Sequence, residues 1–428
     1  MVSKSSRGPG MAAAGSEAEE ALLLPERVAG DAGAPPGNAS VLGAVFNVST
    51  SVVGAGIMSI PAAMRVLGVA PALALIVCVA LLANVAVDFM LRYTRGTPSY
   101  AALMGGSFGR AGAKLLNVFI AFNCVGTLTV YLIIIGDVMS GPVGSGEAHA
   151  GVLPEWFGPH WWTGRDAVLV AAAVILLPLV LQKHVDSLRY TSAVSILLAA
   201  VFMLITMGIA LYTVFTGTAK MPRMLPDFST LASPFELFTA VPVIVVAFTF
   251  HFNAVGFFGF LLFGDATMPD VLANFDRSSG SGVPQALNDA ARLSYALHLV
   301  LVFPLLHYSL RVNVDELLFP GRRPLATDTR RFVALTAVLM GLLYALAIAI
   351  PSIWTLFQYS GSTFAVCISL IFPGAIVLRD VHGIAKRKDK AMAAMMITLA
   401  VITSSIAIAS NVMSSIKGEV KGVNAGAS

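Results

Sequence analysis

The sequence predicts an all-α, polytopic membrane protein with about ten hydrophobic segments. Three observations predict it: hydrophobic residues fill 57% of the 428 positions, charged residues fill only 12%, and long apolar runs recur from end to end. Soluble globular proteins carry about twice that charged fraction. An apolar run of about 18 residues or more is typical of a membrane-spanning helix. The net charge of +4 therefore bears on membrane topology, and no nucleic-acid partner is expected.

The predicted chain has three parts. Residues 1–40 are polar, acidic and rich in Gly, Ala and Pro, which predicts a disordered cytosolic N-terminal tail. Residues 41–415 form the predicted membrane domain, and 416–428 form a short C-terminal tail. Within the membrane domain the apolar segments lie at 41–64, 69–91, 115–136, 167–182, 190–215, 237–264, 284–310, 332–352, 356–378 and 391–413.

The basic residues predict the orientation of the chain. Nineteen of the 27 Lys and Arg residues lie in the N-terminal tail and in four alternating connections, which places these parts in the cytosol. Both flanks of segment 237–264 then belong on the non-cytosolic side. Two full crossings need about 40 apolar residues plus a turn, and this segment has 28. We therefore predict a shortened, fused or re-entrant segment, turning near residues 253–256.

The stretch SVVGAGIMSIP at 51–61 places two glycines and a proline inside an apolar run. A helix broken here frees carbonyl groups that suit an ammonium ion and N–H groups that suit a carboxylate. The alternative is a glycine-lined helix contact with a proline kink. The candidate ligand-binding residues around this break are Asn47, Thr50, Gly54, Ala55, Gly56 and Ile57.

Further polar residues lie inside other segments. Asn123, Thr127 and Tyr131 recur every four residues and form one polar stripe, which either lines a ligand path or joins two helices. His298 lies in the middle of its segment, where an ionisable group is costly and indicates a function such as proton uptake and release. The alternative is a neutral histidine hydrogen-bonded within the bundle. His251 has the same two interpretations.

Other features predict structure or exclude chemistry. Asp88 and Arg92, spaced i to i+4, predict a structural ion pair. The sequence has no phosphate-binding P-loop, no His and carboxylate cluster with zinc-ligand spacing, and no intramembrane nucleophile with a base. The three cysteines are isolated and predict packing residues. We therefore expect neither an enzyme nor a bound cofactor.

Five motifs identify the chain as a member of the amino acid/auxin permease family. It most resembles the plant vacuolar amino acid transporters, which are related to sodium-coupled neutral amino acid transporters. The motifs are GAGIMSIPAAMRVLG (54–68), SLRYTSAVSI (187–196), GFLLFGDATMPDVLANFD (259–276), YALHLVLVFPLLHYSLRVNVDELLFP (295–320) and PSIWTLFQYSGSTFAVCISLIFPGAIVLRD (351–380).

The resemblance implies a leucine-transporter-like fold of eleven helices with an inverted five-helix repeat, in which the first and sixth helices are broken at the amino-acid site. It implies alternating access, with an amino acid as substrate and membrane lipid around the bundle. The first break falls on Gly54 to Gly56, with Asn47 at a polar lining position. The second falls near Phe250 and His251.

Two departures from the family pattern affect function. Val300 and Val302 stand where sodium-coupled relatives carry a hydroxyl before the proline, which argues against sodium and for proton coupling or facilitated flow. In the family pattern, the second half of the sixth helix, a cytosolic loop and the first half of the seventh helix follow the position of Asn253. This chain continues instead with AVGFFGFLLFGD (254–265), so these elements are missing. A non-transporting truncated isoform with a regulatory or nutrient-sensing role is therefore the alternative function.

The predicted location is the vacuolar membrane, with the plasma membrane and the endoplasmic reticulum as alternatives. Residues 19–24, EEALLL, resemble an acidic dileucine sorting signal for endosomal or vacuolar membranes. A chance leucine cluster in a tail is the competing explanation.

Overall fold

The computed structural model describes residues 54, 56–94, 99–142, 149–182, 189–217, 222–228, 234–247, 271–275, 284–350 and 352–426. These residues are almost all helical, and no strand occurs among them. The helices are α1 Gly56–Leu67, α2 Val69–Tyr93, α3 Tyr100–Ser140, α4 Val152–Phe157, α5 Arg165–Val180, α6 Arg189–Phe215, α7 Ala240–Ala247, α8 Gln285–Leu318, α9 Thr329–Ala349, α10 Ile353–Arg379 and α11 Arg387–Gly426.

Seven of the described helices are long and apolar enough to cross a membrane: α2, α3, α6, α8, α9, α10 and α11. Their outward faces carry large apolar side chains, such as Leu81 and Val338, which are 63% and 68% exposed. Such faces are stable next to lipid, and helices satisfy their own backbone hydrogen bonds there. The predicted all-α polytopic membrane architecture is confirmed.

Two helices differ from the predicted segments. α3 begins at Tyr100, well before the predicted apolar segment 115–136, and contains a kink at Gly109, where φ is 69°. The Ser99 hydroxyl accepts a hydrogen bond from the backbone N–H of Ala102 and caps this early start. Apolar periodicity alone did not predict this first part of α3, because residues 105–114 include Gly, Ser, Arg and Lys. α11 continues beyond the apolar segment to Gly426.

Only part of the predicted re-entrant segment belongs to the described residues. A 3₁₀ turn at Pro234–Thr239 leads directly into α7. The predicted turn near residues 253–256 lies outside the described part of the chain.

α8 is the central helix of the bundle. It packs most extensively against α3 and α6, while α1 packs against α7. α10 interrupts its regular helix with two π-helical turns, Gly361–Ala365 and Cys367–Ile371. Such turns often mark functional sites. The contacts of α1, α3, α6 and α8 bring the sequence motifs of the candidate site together.

Candidate functional site

α1 begins inside the bundle, at the predicted break. Gly54 is not helical, α1 starts at Gly56, and the side chains of Met58 and Ser59 are completely buried. The first N–H groups of a helix have no partner within it and carry the positive end of its dipole. The Ser59 hydroxyl also has no hydrogen-bond partner among the described residues. This buried helix start therefore offers donors to a polar ligand.

Two buried tyrosines enclose Gly54. The Tyr295 hydroxyl on α8 donates a hydrogen bond of 2.9 Å to the Gly54 carbonyl. From α3, the Tyr131 hydroxyl oxygen would lie 2.9 Å from a β-carbon placed at Gly54. A side chain at this position would therefore displace Tyr131, and only glycine lets the two tyrosines approach the backbone so closely. Sequence reasoning missed Tyr295, although it lies three residues before His298 in one of the family motifs.

Within the described part of the chain, Tyr131 is the residue of the α3 polar stripe that is shown to contact the break, at Gly54. Thr127 donates its hydroxyl hydrogen to the Asn123 carbonyl in its own helix, at 2.9 Å. Asn123 is half-buried, and its side-chain oxygen has no partner among the described residues. At about 1.5 Å per residue, Asn123 lies about 12 Å from Tyr131 along the helix. Asn123 and Thr127 therefore lie about two turns and one turn away from Tyr131 on α3.

His298 is completely buried between α8 and α6. Its Nδ1 lies 2.8 Å from both the carbonyl oxygen and the hydroxyl oxygen of Ser195. A carbonyl only accepts hydrogen bonds, so Nδ1 carries the proton and donates, while the Ser195 hydroxyl donates to the His298 carbonyl at 3.3 Å. The His298 ring lies 5.0 Å from the Tyr295 ring, centroid to centroid. Tyr295 thus connects His298 to the break.

The remaining predicted residues have different outcomes. Asn47, Thr50, Ala55, Phe250 and His251 lie outside the described residues. Ile57 belongs to the first turn of α1, and only its backbone is described.

A charged cluster closes the end of the bundle where α2 and α10 finish and α11 begins. Asp380 accepts hydrogen bonds from the Tyr93 hydroxyl at 2.7 Å and from the backbone N–H groups of Ile384 and Ala385. Lys390 lies 3.0 Å away. The Tyr93 hydrogen bond is the main reason that the pKa of Asp380 is lowered, with Lys390 and the two N–H groups adding to it.

Arg92 extends this cluster. It pairs with Asp88 at 2.7 Å, which confirms the predicted ion pair, and with Asp389 at 3.0 Å. Asp389 also caps the start of α11 by accepting from the Lys386 backbone N–H. The cluster ties α2 and α10 to α11.

The comparisons with known proteins agree with this architecture. The sequence profile described as "Transmembrane amino acid transporter protein" matches residues 37–255 and 252–416. The amino acid transporter AVT6C of Arabidopsis thaliana is 47% identical over 408 aligned positions, which cover 88% of this chain and 94% of the relative. Since 88% of the 428 residues is about 377 residues, roughly 30 of the 408 aligned positions have no residue in this chain.

Two further relatives extend the comparison. The amino acid transporter AVT6A of Arabidopsis thaliana is 46% identical and covers 87% of this chain and 88% of its own length. The sodium-coupled neutral amino acid transporter 7 of Xenopus laevis is 26% identical and covers 80% of this chain and 81% of its own length. The profile and the relatives together cover the membrane domain, the break in α1 and the α8 motif. The chain therefore belongs to the transmembrane amino acid transporter family.

Proposed function

We propose that this chain moves amino acids across a membrane by alternating access, within a leucine-transporter-like inverted-repeat bundle. The observation that carries the proposal is the buried start of α1 beside the non-helical backbone of Gly54. An amino acid carries an ammonium and a carboxylate group on one carbon. Freed carbonyls before a helix break and free N–H groups after it match these two charges. The side chain of the substrate then faces a pocket of its own, so the backbone alone sets no preference among amino acids.

We propose that Gly54, Ala55, Gly56 and Ile57 hold the substrate, with Asn47 and Thr50 before the break. Asn123 and Thr127 line the path, and Phe250 and His251 close the site from the second broken helix. Tyr131 and Tyr295 join this set because they contact Gly54. Their two hydroxyl groups lie against the backbone at the break and carry no charge.

We propose that a proton gradient acting through His298 drives transport. Facilitated flow without a coupled ion is the alternative. Since Nδ1 donates to Ser195, a second proton binds at Nε2. The added charge acts on the neighbouring Tyr295, whose hydroxyl holds the Gly54 carbonyl. Protonation at His298 can thereby alter the break that holds the substrate. Coupling is either symport or antiport with the amino acid.

Sodium independence is part of the same proposal. Val302 is completely buried, and Val300 is half-buried on the same helix. Neither provides an oxygen ligand for a hard cation. The proposed location is the vacuolar or another endomembrane, on the strength of the dileucine-like EEALLL at 19–24.

A specific observation favours a second candidate function, a non-transporting form with a regulatory or sensing role. The two pieces of the family match overlap at residues 252–255, with no chain residue between them. The aligned positions that lack a residue in this chain fit a deletion at this join, next to the predicted second break. A transporter without that segment keeps α1 and α8 but loses one wall of the site.

Reconstitution in vesicles tests both candidates. We would measure uptake of a panel of radiolabelled amino acids by the 428-residue chain and by a variant that carries the corresponding AVT6C segment after Asn253. Uptake by both chains supports transport by this form. Uptake by the extended variant alone supports the second candidate, and binding without uptake by the original chain would identify a sensor. If neither chain binds or moves an amino acid, both proposals are wrong.

A further inference from the structure

Three of the four tryptophans in the chain lie within seven residues, in α4 and in the 3₁₀ turn that follows it. Trp161 is 86% exposed, Phe157 is 54% exposed, Trp156 is 52% exposed and Trp162 is 38% exposed. The rings of Trp156 and Phe157 lie 6.3 Å apart and those of Phe157 and Trp162 lie 5.4 Å apart, so these three side chains form one surface. Trp161 precedes Trp162 in the chain. We call these four residues the aromatic platform.

Two polar groups of the same connection point inward, whereas His160 is exposed beside Trp162. The Glu155 side chain is 3% exposed and lies 3.1 Å from Arg292, which is itself 1% exposed. The indole N–H of Trp156 donates to Asp289 at 2.9 Å. A connection that faces water normally shows the reverse arrangement, with charges outside and aromatic rings inside. The aromatic platform therefore faces a medium that is less polar than water.

The connection is also held rigidly against the bundle. Arg292 of α8 donates to the Ala150 carbonyl at 2.7 Å. A β-carbon at Gly151 would lie 2.4 Å from the carbonyl carbon of Ser140, so the connection crosses directly over the end of α3. The aromatic platform cannot fold away from the surface without breaking these contacts. Its exposure is a fixed property of the fold.

The start of α5 fixes the depth of the platform. α5 begins with Arg165 and Asp166, and Asp166 is exposed. An exposed charge is costly in the hydrocarbon core, so the core begins after Asp166. α4 and the 3₁₀ turn Trp161–Thr163 come before this point in the chain. The tryptophans therefore lie at the level of the lipid headgroups, where aromatic side chains are enriched.

We propose that the aromatic platform is a lipid-binding surface that inserts into the boundary between headgroups and acyl chains, at the membrane face where α3 ends and α5 begins. Its partner is the phospholipid leaflet, and Trp161 is the deepest contact because it is the most exposed. Through Glu155 and Arg292 the platform steadies the part of α8 that leads to Tyr295. Lipid contact at the surface and the geometry of the break are thereby connected along one helix.

Tryptophan fluorescence of the full chain in phosphatidylcholine vesicles tests this proposal. The vesicles carry bromine atoms either near the headgroup end of the acyl chains or near their methyl end, and acrylamide is the water-soluble quencher. We expect stronger quenching by the shallow bromines than by the deep ones, and weak quenching by acrylamide. Trp161→Phe should remove more of the shallow-bromine quenching than the matched variant Trp354→Phe on α10. Trp161→Phe removes no core packing, so folding is retained.

Three results would overturn the proposal. Strong acrylamide quenching with no effect of either bromine position would place the tryptophans in water. Resistance to all quenchers, unchanged in Trp161→Phe, would mean that protein covers the platform. Deep bromines quenching more than shallow ones would contradict the interfacial depth. A single-tryptophan chain that keeps only Trp161 repeats the measurement without the signal from the other three.

Discussion

The break at Gly54 is surrounded by uncharged groups, whereas the cluster around Asp380 consists mainly of charged side chains. At Gly54 the described neighbours are two tyrosines and backbone groups, all uncharged and buried. At Asp380 the contacts come from Tyr93 and Lys390, and the adjoining Arg92 pairs with Asp88 and Asp389 near the surface.

The difference follows from the cost of burying charge. A lone charged side chain inside the bundle loses its hydration without compensation, whereas neutral dipoles cost far less. A zwitterionic substrate brings its own two charges, so a site made of dipoles can accept it and release it again. Charges at the end of the bundle keep some contact with water and can hold helices together permanently. The proposed site therefore binds reversibly, and the cluster is structural.

The largest expected effect comes from filling the space at Gly54. We expect Gly54→Leu to weaken amino-acid binding by up to about 150-fold, because the side chain displaces Tyr131 and overpacking costs ~1–3 kcal/mol. Equilibrium binding in detergent measures the effect, with Gly341→Leu on α9 as the control, since a β-carbon there meets nothing within 4 Å. Unchanged binding in Gly54→Leu would favour the alternative of a simple glycine-lined helix contact.

The second effect tests the tyrosine that holds the break. Tyr295→Phe leaves the Gly54 carbonyl without its 2.9 Å hydrogen bond. An unsatisfied buried acceptor costs ~1–3 kcal/mol, so we expect binding to weaken by about 5- to 100-fold. Tyr344→Phe on α9 makes the same chemical change away from the break and should bind like wild type. Equal binding in both variants would remove Tyr295 from the site.

The third effect concerns His298 and the pH response. Flux that is coupled to protons through His298 should change with pH between about pH 5 and pH 8, the range in which histidine acts as a proton carrier in proteins. It should be the same in sodium and potassium buffers. His298→Gln keeps a donor for the Ser195 carbonyl but removes the titration. We expect its flux to be flat over this range, within about twofold. A sodium-stimulated flux, or an unaltered pH profile in the variant, would contradict proton coupling at His298.

The sequence predicted the fold class and most of the spans because apolar length and the absence of charge are local properties. It also predicted irregular backbone at Gly54, since glycine and proline are unusual inside an apolar run. Tyr295 could not be assigned from spacing, because its role depends on the contact between α8 and the backbone of Gly54, and residues 54 and 295 are far apart in the chain. The early start of α3 was missed because a polar capped turn does not resemble a membrane segment. The aromatic platform was visible as a tryptophan-rich stretch, but its outward orientation required the contacts of Glu155.

The smallest expected effect tests whether the Asp380 cluster is only structural or also takes part in transport. The pKa of Asp380 is lowered in the fold, so its charge stabilises the protein above the unfolded value of about 4 and this contribution is lost as the pH falls below it. Asp380 has a left-handed backbone, with φ of 44°, which asparagine also tolerates. Asp380→Asn therefore removes the charge and keeps the turn.

We expect the midpoint of thermal unfolding in detergent to be a few degrees lower than wild type at pH 7, and the two midpoints to converge below about pH 4. Amino-acid binding at pH 7 should not change. A variant with the wild-type midpoint at pH 7 would show that the cluster does not stabilise the fold, and weaker binding would show that it belongs to the transport mechanism.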